Sequence, residues 1–175
     1  MAEKDGRVVV DFVEMKVTGL TIDPFTSMPI IILKDTEEKC ALPIWIGLIE
    51  ASAIATELEH IVLARPMTHD LLKGMLEALG ASVSRVEVND LADNTFYAKV
   101  YLHRGEEDFV MDARPSDAIA IALRTKSPIF VARHVIDKSR KIDLAKDGGT
   151  DEMRKRKWTE ILENLSLEDF GKYKM

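Results

Sequence analysis

Thr95-Phe96-Tyr97-Ala98-Lys99-Val100-Tyr101-Leu102-His103 sets Phe96, Ala98, Val100 and Leu102 against Tyr97, Lys99, Tyr101 and His103, the two-residue period of a half-buried strand. Asp93-Asn94 just ahead of it is a turn signal, and Val83 to Val88 before that is another β-rich run. Downstream, Phe109 to Asp112 predicts a further strand that runs straight into Arg114-Pro115-Ser116-Asp117. A helix is expected from Asp117 to Arg124, where Ala118-Ile119-Ala120-Ile121-Ala122-Leu123 is apolar nearly all round and therefore predicted to be buried. Pro128 to Val131 reads as a last short strand.

Upstream, the β-branched stretch from Val8 to Val17 predicts a first strand, Asp23 to Ser27 a turn, and Met28 to Leu33 a second strand. Charged Lys34 to Lys39 turns the chain into a third, Ala41 to Ile46; such short links predict antiparallel pairing. Gly47 ends that strand, and a helix is expected from Leu48 to Ile61, with Ala51, Ile54, Ala55, Leu58 and Val62 as its core face. A second helix, His69 to Leu79, groups Leu71, Leu72, Met75, Leu76 and Leu79 on one side, with Gly80 as its stop. From Ile136 the chain is charged and less periodic. Asp147-Gly148-Gly149 reads as a linker, and a helix over Asp151 to Asn164 carries Arg154-Lys155-Arg156-Lys157 ahead of Trp158, Ile161, Leu162 and Leu165. Strands, then two helices, then strands again predict an α+β class. The expected organisation is one compact domain over residues 1–140, a largely antiparallel or mixed β-sheet packed with helices, followed by a charged linker and helical tail over 141–175.

A chain of 175 residues can bury a real core, and 46% hydrophobic with 31% charged residues is ordinary for a globular protein. The formal net charge of −6 weighs against a broad non-specific grip on nucleic acid but leaves room for a local basic cleft. The single Cys40 excludes an internal disulfide and a cysteine-rich zinc site; in its apolar run it is expected to be a buried, inert thiol. The charged start Met1-Ala2-Glu3-Lys4-Asp5 lacks a signal-peptide core, and no apolar run approaches the roughly 20 residues that span a bilayer, so a cytoplasmic setting without membrane contact is expected. Eight methionines and several apolar strands are compatible with a homo-oligomer that buries one sheet face.

Two near-copies of one pattern carry the polar chemistry: Arg65-Pro66-Met67-Thr68-His69-Asp70 and Arg114-Pro115-Ser116-Asp117. Each opens a helix, with Thr68 and Ser116 as expected N-caps and Asp70 and Asp117 in first turns, where the helix dipole favours negative charge. Each sets an arginine, a hydroxyl and a carboxylate around a helix start, either as a cap or as the wall of a polar site. Glycine-rich phosphate loops, the His-Glu-x-x-His zinc helix and the Gly-x-Ser-x-Gly elbow are absent. Metal-assisted phosphoryl chemistry calls for several carboxylates and a base. Glu50, Asp70, Asp112 and Asp117 are candidates for the first, His69 for the second, and Arg65 and Arg114 for phosphate clamps. The bland reading makes the same aspartates helix-start residues, the arginines structural donors, and Arg154–Lys157 a solvated face. Tyr97 and Tyr101 with Lys99 between them form either a base-stacking platform or a cover for a helix or subunit.

Leu42-Pro43-Ile44-Trp45-Ile46-Gly47, then Glu50-Ala51, Arg65 through Leu72, Asn94-Thr95-Phe96-Tyr97-Ala98, and Asp112 through Ala120, in that order, resemble the bifunctional nuclease family, and the likeness runs from about Val9 to Val135. The resemblance implies a compact α+β domain found in bacteria and plants, with members acting on DNA and RNA. It implies a nuclease whose motif positions fall on Glu50, Arg65, His69, Asp70, Asp112, Arg114, Ser116 and Asp117. On that basis Glu50, His69, Asp70 and Asp117 are the expected catalytic residues and Arg65, Arg114 and Ser116 the expected substrate-binding ones. Glu50, Asp70 and Asp117 are the expected ligands of a divalent cation, Mg2+ or Mn2+, with nucleic acid as partner. The alternative is a non-catalytic ligand-binding or interaction module whose Arg-Pro elements are structural caps. The tail from Asp151 to Met175 does not match the helical segment that some relatives append.

Overall fold

Two antiparallel meanders and one inserted strand make the sheet. The structure is a computed structural model that describes residues 11–146 apart from residue 38. The first meander is β1 (Phe12–Ile22), β2 (Pro29–Asp35) and β3 (Ala41–Trp45); the second is β4 (Ser82–Ala92), β5 (Thr95–Arg104) and β6 (Glu107–Ala113). Strand β7 (Ile129–Ala132) enters between them, antiparallel to β1 and parallel to β4, giving the order β3-β2-β1-β7-β4-β5-β6. The fold is α+β, with a mixed sheet as expected. Asp93 and Asn94 both take positive φ, 49° and 59°, so β4 and β5 are joined by the tight turn that matches strand twist.

Helices α1 (Leu48–Leu58) and α2 (Thr68–Ala78) lie between the meanders in sequence, and α3 (Pro115–Thr125) links β6 to β7. The alanine–isoleucine run makes α3 the central helix. It packs against α1, α2, β4 and β5, and Ala118 through Ala122 are all buried. Small alanines let neighbouring backbones approach, and the isoleucines fill the gaps between them. In β2, Ile30, Ile31, Ile32 and Leu33 are all buried, so this strand is covered on both faces. Asp23 pins the β1–β2 turn by accepting from the Phe25 N–H (2.9 Å), the Thr26 hydroxyl (2.8 Å) and the Trp45 indole (2.9 Å).

Several expectations are corrected. The first strand is registered over Phe12–Ile22, and Val8 to Val10 fall outside the described residues. Helix α1 stops at Leu58 instead of reaching Ile61, so Val62, expected in the core, is 94% exposed. The apolar stripe of α2 does not face the core: none of its residues is buried, and Leu71, Leu72, Met75 and Leu79 are exposed. Its helical period was right, but α2 rides on the outside of α3, where only Leu76 packs on the core. The charged stretch after Ile136 is not irregular; α4 (Arg133–Lys146) is helical because Val135 and Ile136 anchor it in the core. Cys40 is half-buried, not enclosed. The linker at Asp147, the helix over Asp151–Asn164 and its basic cluster lie outside the described residues.

Candidate functional site

The site begins at the end of β3. Gly47, extended at φ −71° and ψ 158°, caps α1, and Glu50 sits in that helix's first turn. The Glu50 carboxylate folds back over Gly47 so closely that a Cβ there would collide with Oε2. Glycine leaves that space open and lets the Glu50 carboxylate lie there. Oε1 of Glu50 then accepts from Nη1 of Arg114 at 2.7 Å.

Arg114 itself caps α3, with Pro115 at the first helical position, where its missing N–H costs nothing. Its Nε donates to Oδ2 of Asp117 at 2.7 Å and its Nη2 to Oδ1 at 3.2 Å, a two-pronged grip. These carboxylates push the Arg114 pKa further up, Asp117 more than Glu50. Oδ1 of Asp117 also meets Nε2 of His69 at 3.1 Å. Burial raises the Asp117 carboxyl, but hydrogen bonds from Arg114 and then His69 outweigh it and hold the group below the usual carboxylate range. Glu50, Arg114, Asp117 and His69 thus form one connected row drawn from α1, α3 and α2. When Nε2–H of His69 is donated to Asp117, Nδ1 carries the lone pair, the tautomer of a general base.

The neighbouring Asp70 takes another direction. Oδ2 accepts from the Met67 N–H at 2.8 Å, closing the start of α2, and Oδ1 accepts from Nε of Arg124 at 2.6 Å. Arg124 holds its carboxyl below the usual range, with the Met67 N–H as the second cause. Arg124 also donates to the Ala120 carbonyl (3.1 Å) and the Ala53 carbonyl (3.1 Å), so one guanidinium with 3% of its side chain exposed ties α1, α2 and α3 together. Sequence reasoning passed over Arg124. Its signal was a lone charge ending the otherwise apolar run Ala118–Leu123.

The two Arg-Pro elements therefore meet through His69 and Asp117, but their members divide. Thr68 and Ser116 are not the N-caps: the helices are capped at Met67 and Arg114, and Ser116 lies buried in the first turn of α3. Asp112 stands exposed on β6 opposite Lys99 and joins neither cluster. Tyr101 donates to Glu87 at 2.7 Å and lies under Arg85, whereas Tyr97 is exposed. Arg65, in the α1–α2 loop, is exposed and lines an open cleft of about 320 Å³ beside the Asp70–Arg124 pair. Among the described residues no three His, Cys, Asp or Glu side chains converge as a metal cage. Glu50 and Asp117 face the same guanidinium from two sides, so Arg114 supplies the positive charge between them, and Asp70 is committed to Arg124. Arranged in this way, the three carboxylates do not fit a hard cation that needs them together.

Over residues 31–143, a span that contains the whole row from Glu50 to Asp117, the sequence matches the bifunctional nuclease domain. The chain belongs to that family. As a bifunctional nuclease domain it is similar to an uncharacterized protein of Mycobacterium tuberculosis, 36% identical over 162 residues, which is 90% of this chain and 97% of the relative. It is similar to Bifunctional nuclease 1 of Oryza sativa subsp. indica, 33% identical over 97 residues, and to Bifunctional nuclease 2 of Arabidopsis thaliana, 33% identical over 110 residues. Those alignments take in 54% and 60% of this chain but 29% and 33% of the plant proteins. No helix among the described residues is long and apolar enough to cross a membrane.

Proposed function

We propose that this bifunctional nuclease domain hydrolyses phosphodiester bonds of DNA or RNA at the row Glu50–Arg114–Asp117–His69. The observation that carries the reading is the 3.1 Å contact between His69 and Asp117, which orients an imidazole beside an arginine 65% exposed. His69 Nδ1 takes the proton of a water whose oxygen bonds to phosphorus. The bond from phosphorus to the leaving oxygen breaks, and that oxygen receives the proton back, leaving a phosphomonoester and a free hydroxyl. Asp117 stays ionised, orients the ring and steadies its positive form. Arg114 keeps Asp117 and turns Nη1 from Glu50 to the phosphate, where charge develops.

The expected Mg2+ or Mn2+ is given no step, because the carboxylates expected to hold it are divided between two arginines. The test is a nuclease assay on highly purified protein, with and without chelator, beside a folded Asp117→Asn variant. Cleavage that survives chelation and falls in the variant supports the His69 route. Equal cleavage by wild type and variant overturns the nuclease reading, and loss on chelation restored by Mg2+ or Mn2+ overturns the metal-free step.

One observation favours the second reading, a non-catalytic module. Arg114 is already satisfied by three hydrogen bonds, as a structural cap would be. Absence of cleavage under every metal condition would select it. A cytoplasmic setting and self-association through the exposed face of α2 belong to the same proposal, the latter because a lone domain rarely leaves a whole apolar stripe in water.

A further inference from the structure

Arg65 differs from the other two arginines near the site. Arg114 is held by two carboxylates, and Arg124 is enclosed and saturated by Asp70 and two carbonyls. Arg65 makes no hydrogen bond or ion pair with any described residue, and it lines the open cleft between the end of α1 and the start of α2. One wall of that cleft is the apolar loop Ile61-Val62-Leu63, unusually exposed for three consecutive aliphatic residues, at 47, 94 and 39%. The lining also offers acceptors. Glu57 contributes a carboxylate, and the Thr56 hydroxyl, whose proton is given to the Ser52 carbonyl at 2.7 Å, keeps its lone pairs. The Asp70–Arg124 pair, whose charges cancel, completes the lining.

An unpaired arginine, exposed aliphatic side chains and acceptor groups lining one cleft together suit a nucleoside phosphate. The phosphate meets Arg65, the base lies on the aliphatic loop, and its amino groups or the sugar hydroxyls donate to Glu57 and Thr56. A volume of about 320 Å³ lies at the low end of small-molecule sites. The cleft and the proposed reaction row share the start of α2, where Asp70 on the cleft and His69 in the row are consecutive residues.

We propose that this cleft receives one unpaired nucleotide next to the phosphate being cut, which makes single-stranded nucleic acid the preferred substrate. A paired base keeps its amino groups in the duplex and cannot reach Glu57, so unpaired strands gain contacts that duplexes lack. As a statement about substrate choice this rests on the phosphodiesterase reading above; as a binding site it stands alone.

Titration of isotope-labelled protein with guanosine and adenosine 5′-monophosphates, followed by amide shifts, tests it without any cleavage. Saturable shifts are expected at residues 56–66, and Arg65→Ala should weaken binding by roughly tenfold or more, the loss of one charged hydrogen bond. Val62→Asp, at a fully solvated position, should weaken it as well, whereas His69→Ala should leave it unchanged. Shifts elsewhere only, or binding indifferent to both Arg65→Ala and Val62→Asp, overturn the cleft. Cleavage that His69→Ala abolishes while Arg65→Ala leaves KM and the single-strand preference intact overturns the cleft and spares the nuclease reading. Nucleotide binding in the cleft with no cleavage by any preparation overturns the nuclease reading and spares the cleft.

Discussion

His69 and Asp117, 48 residues apart, bring Nε2 and Oδ1 within 3.1 Å of each other at the meeting of two helix starts. Asp117→Asn keeps the size of the side chain but removes the charge that orients and steadies the imidazole. Cleavage should fall by about 10² to 10⁴-fold, the range of a positioned acid–base pair, with the circular dichroism spectrum unchanged. Retained activity in a folded variant would remove His69 from the chemistry.

Arg114 and Arg124 should separate activity from stability. Most of Arg114 is in water, so Arg114→Ala should change the unfolding free energy by less than about 1 kcal/mol while removing cleavage. Arg124→Ala withdraws an enclosed charge that three helices share and should cost on the order of 3 kcal/mol. That is the low end for breaking such a pair, because Asp70 keeps about a third of its side chain wet. Urea unfolding of the two variants checks the contrast.

Gly47→Ala tests Glu50 without changing any charged residue. The added methyl occupies the space of Glu50 Oε2 and drives that flexible carboxylate off Arg114. Stability should shift by no more than about 1 kcal/mol, the scale of a cap change, while kcat changes. Kinetics identical to wild type would show that Glu50 has no part in setting Arg114.

Acid should weaken the domain through Asp70. Its carboxyl is held below the ordinary range, so its stabilisation is complete above the unfolded value of about 3.9 and is lost as pH falls through the lower folded value. Thermal midpoints measured between pH 6 and pH 2 should drop less steeply for Asp70→Asn than for wild type. Parallel curves would place the acid sensitivity elsewhere.

The exposed face of α2 makes self-association measurable. Met75→Glu and Leu72→Lys fall on side chains about half exposed, so each should alter stability by no more than about 1 kcal/mol. If α2 meets a second copy, light scattering after gel filtration should show the variants at lower mass than wild type. Equal masses would assign the stripe to something other than a copy of the chain.

Local periodicity made the strands and α3 readable, because Thr95–His103 faces two environments and Ala118–Leu123 faces one. The same reasoning misplaced α2. A helical stripe says which residues share a face, and only tertiary packing decides whether core or water lies opposite. Val135 and Ile136 show the reverse case, in which two buried residues hold a charged helix that pattern alone leaves irregular. At the site, the aspartates and arginines were legible as residue types near helix starts. Their pairing was not, since Arg124 lies 54 positions from Asp70 and Arg114 lies 64 from Glu50. Gly47 looked like a strand end, and its role follows only from the carboxylate that folds over it.

Arg124 reaches the carbonyl of Ala53, the carboxylate of Asp70 and the carbonyl of Ala120, one anchor on each helix that also frames the reaction row. The scaffold and the candidate site therefore share a keystone. A fragment cut anywhere between α1 and α3 would lose both the tie among these helices and the Glu50–Arg114–Asp117–His69 row.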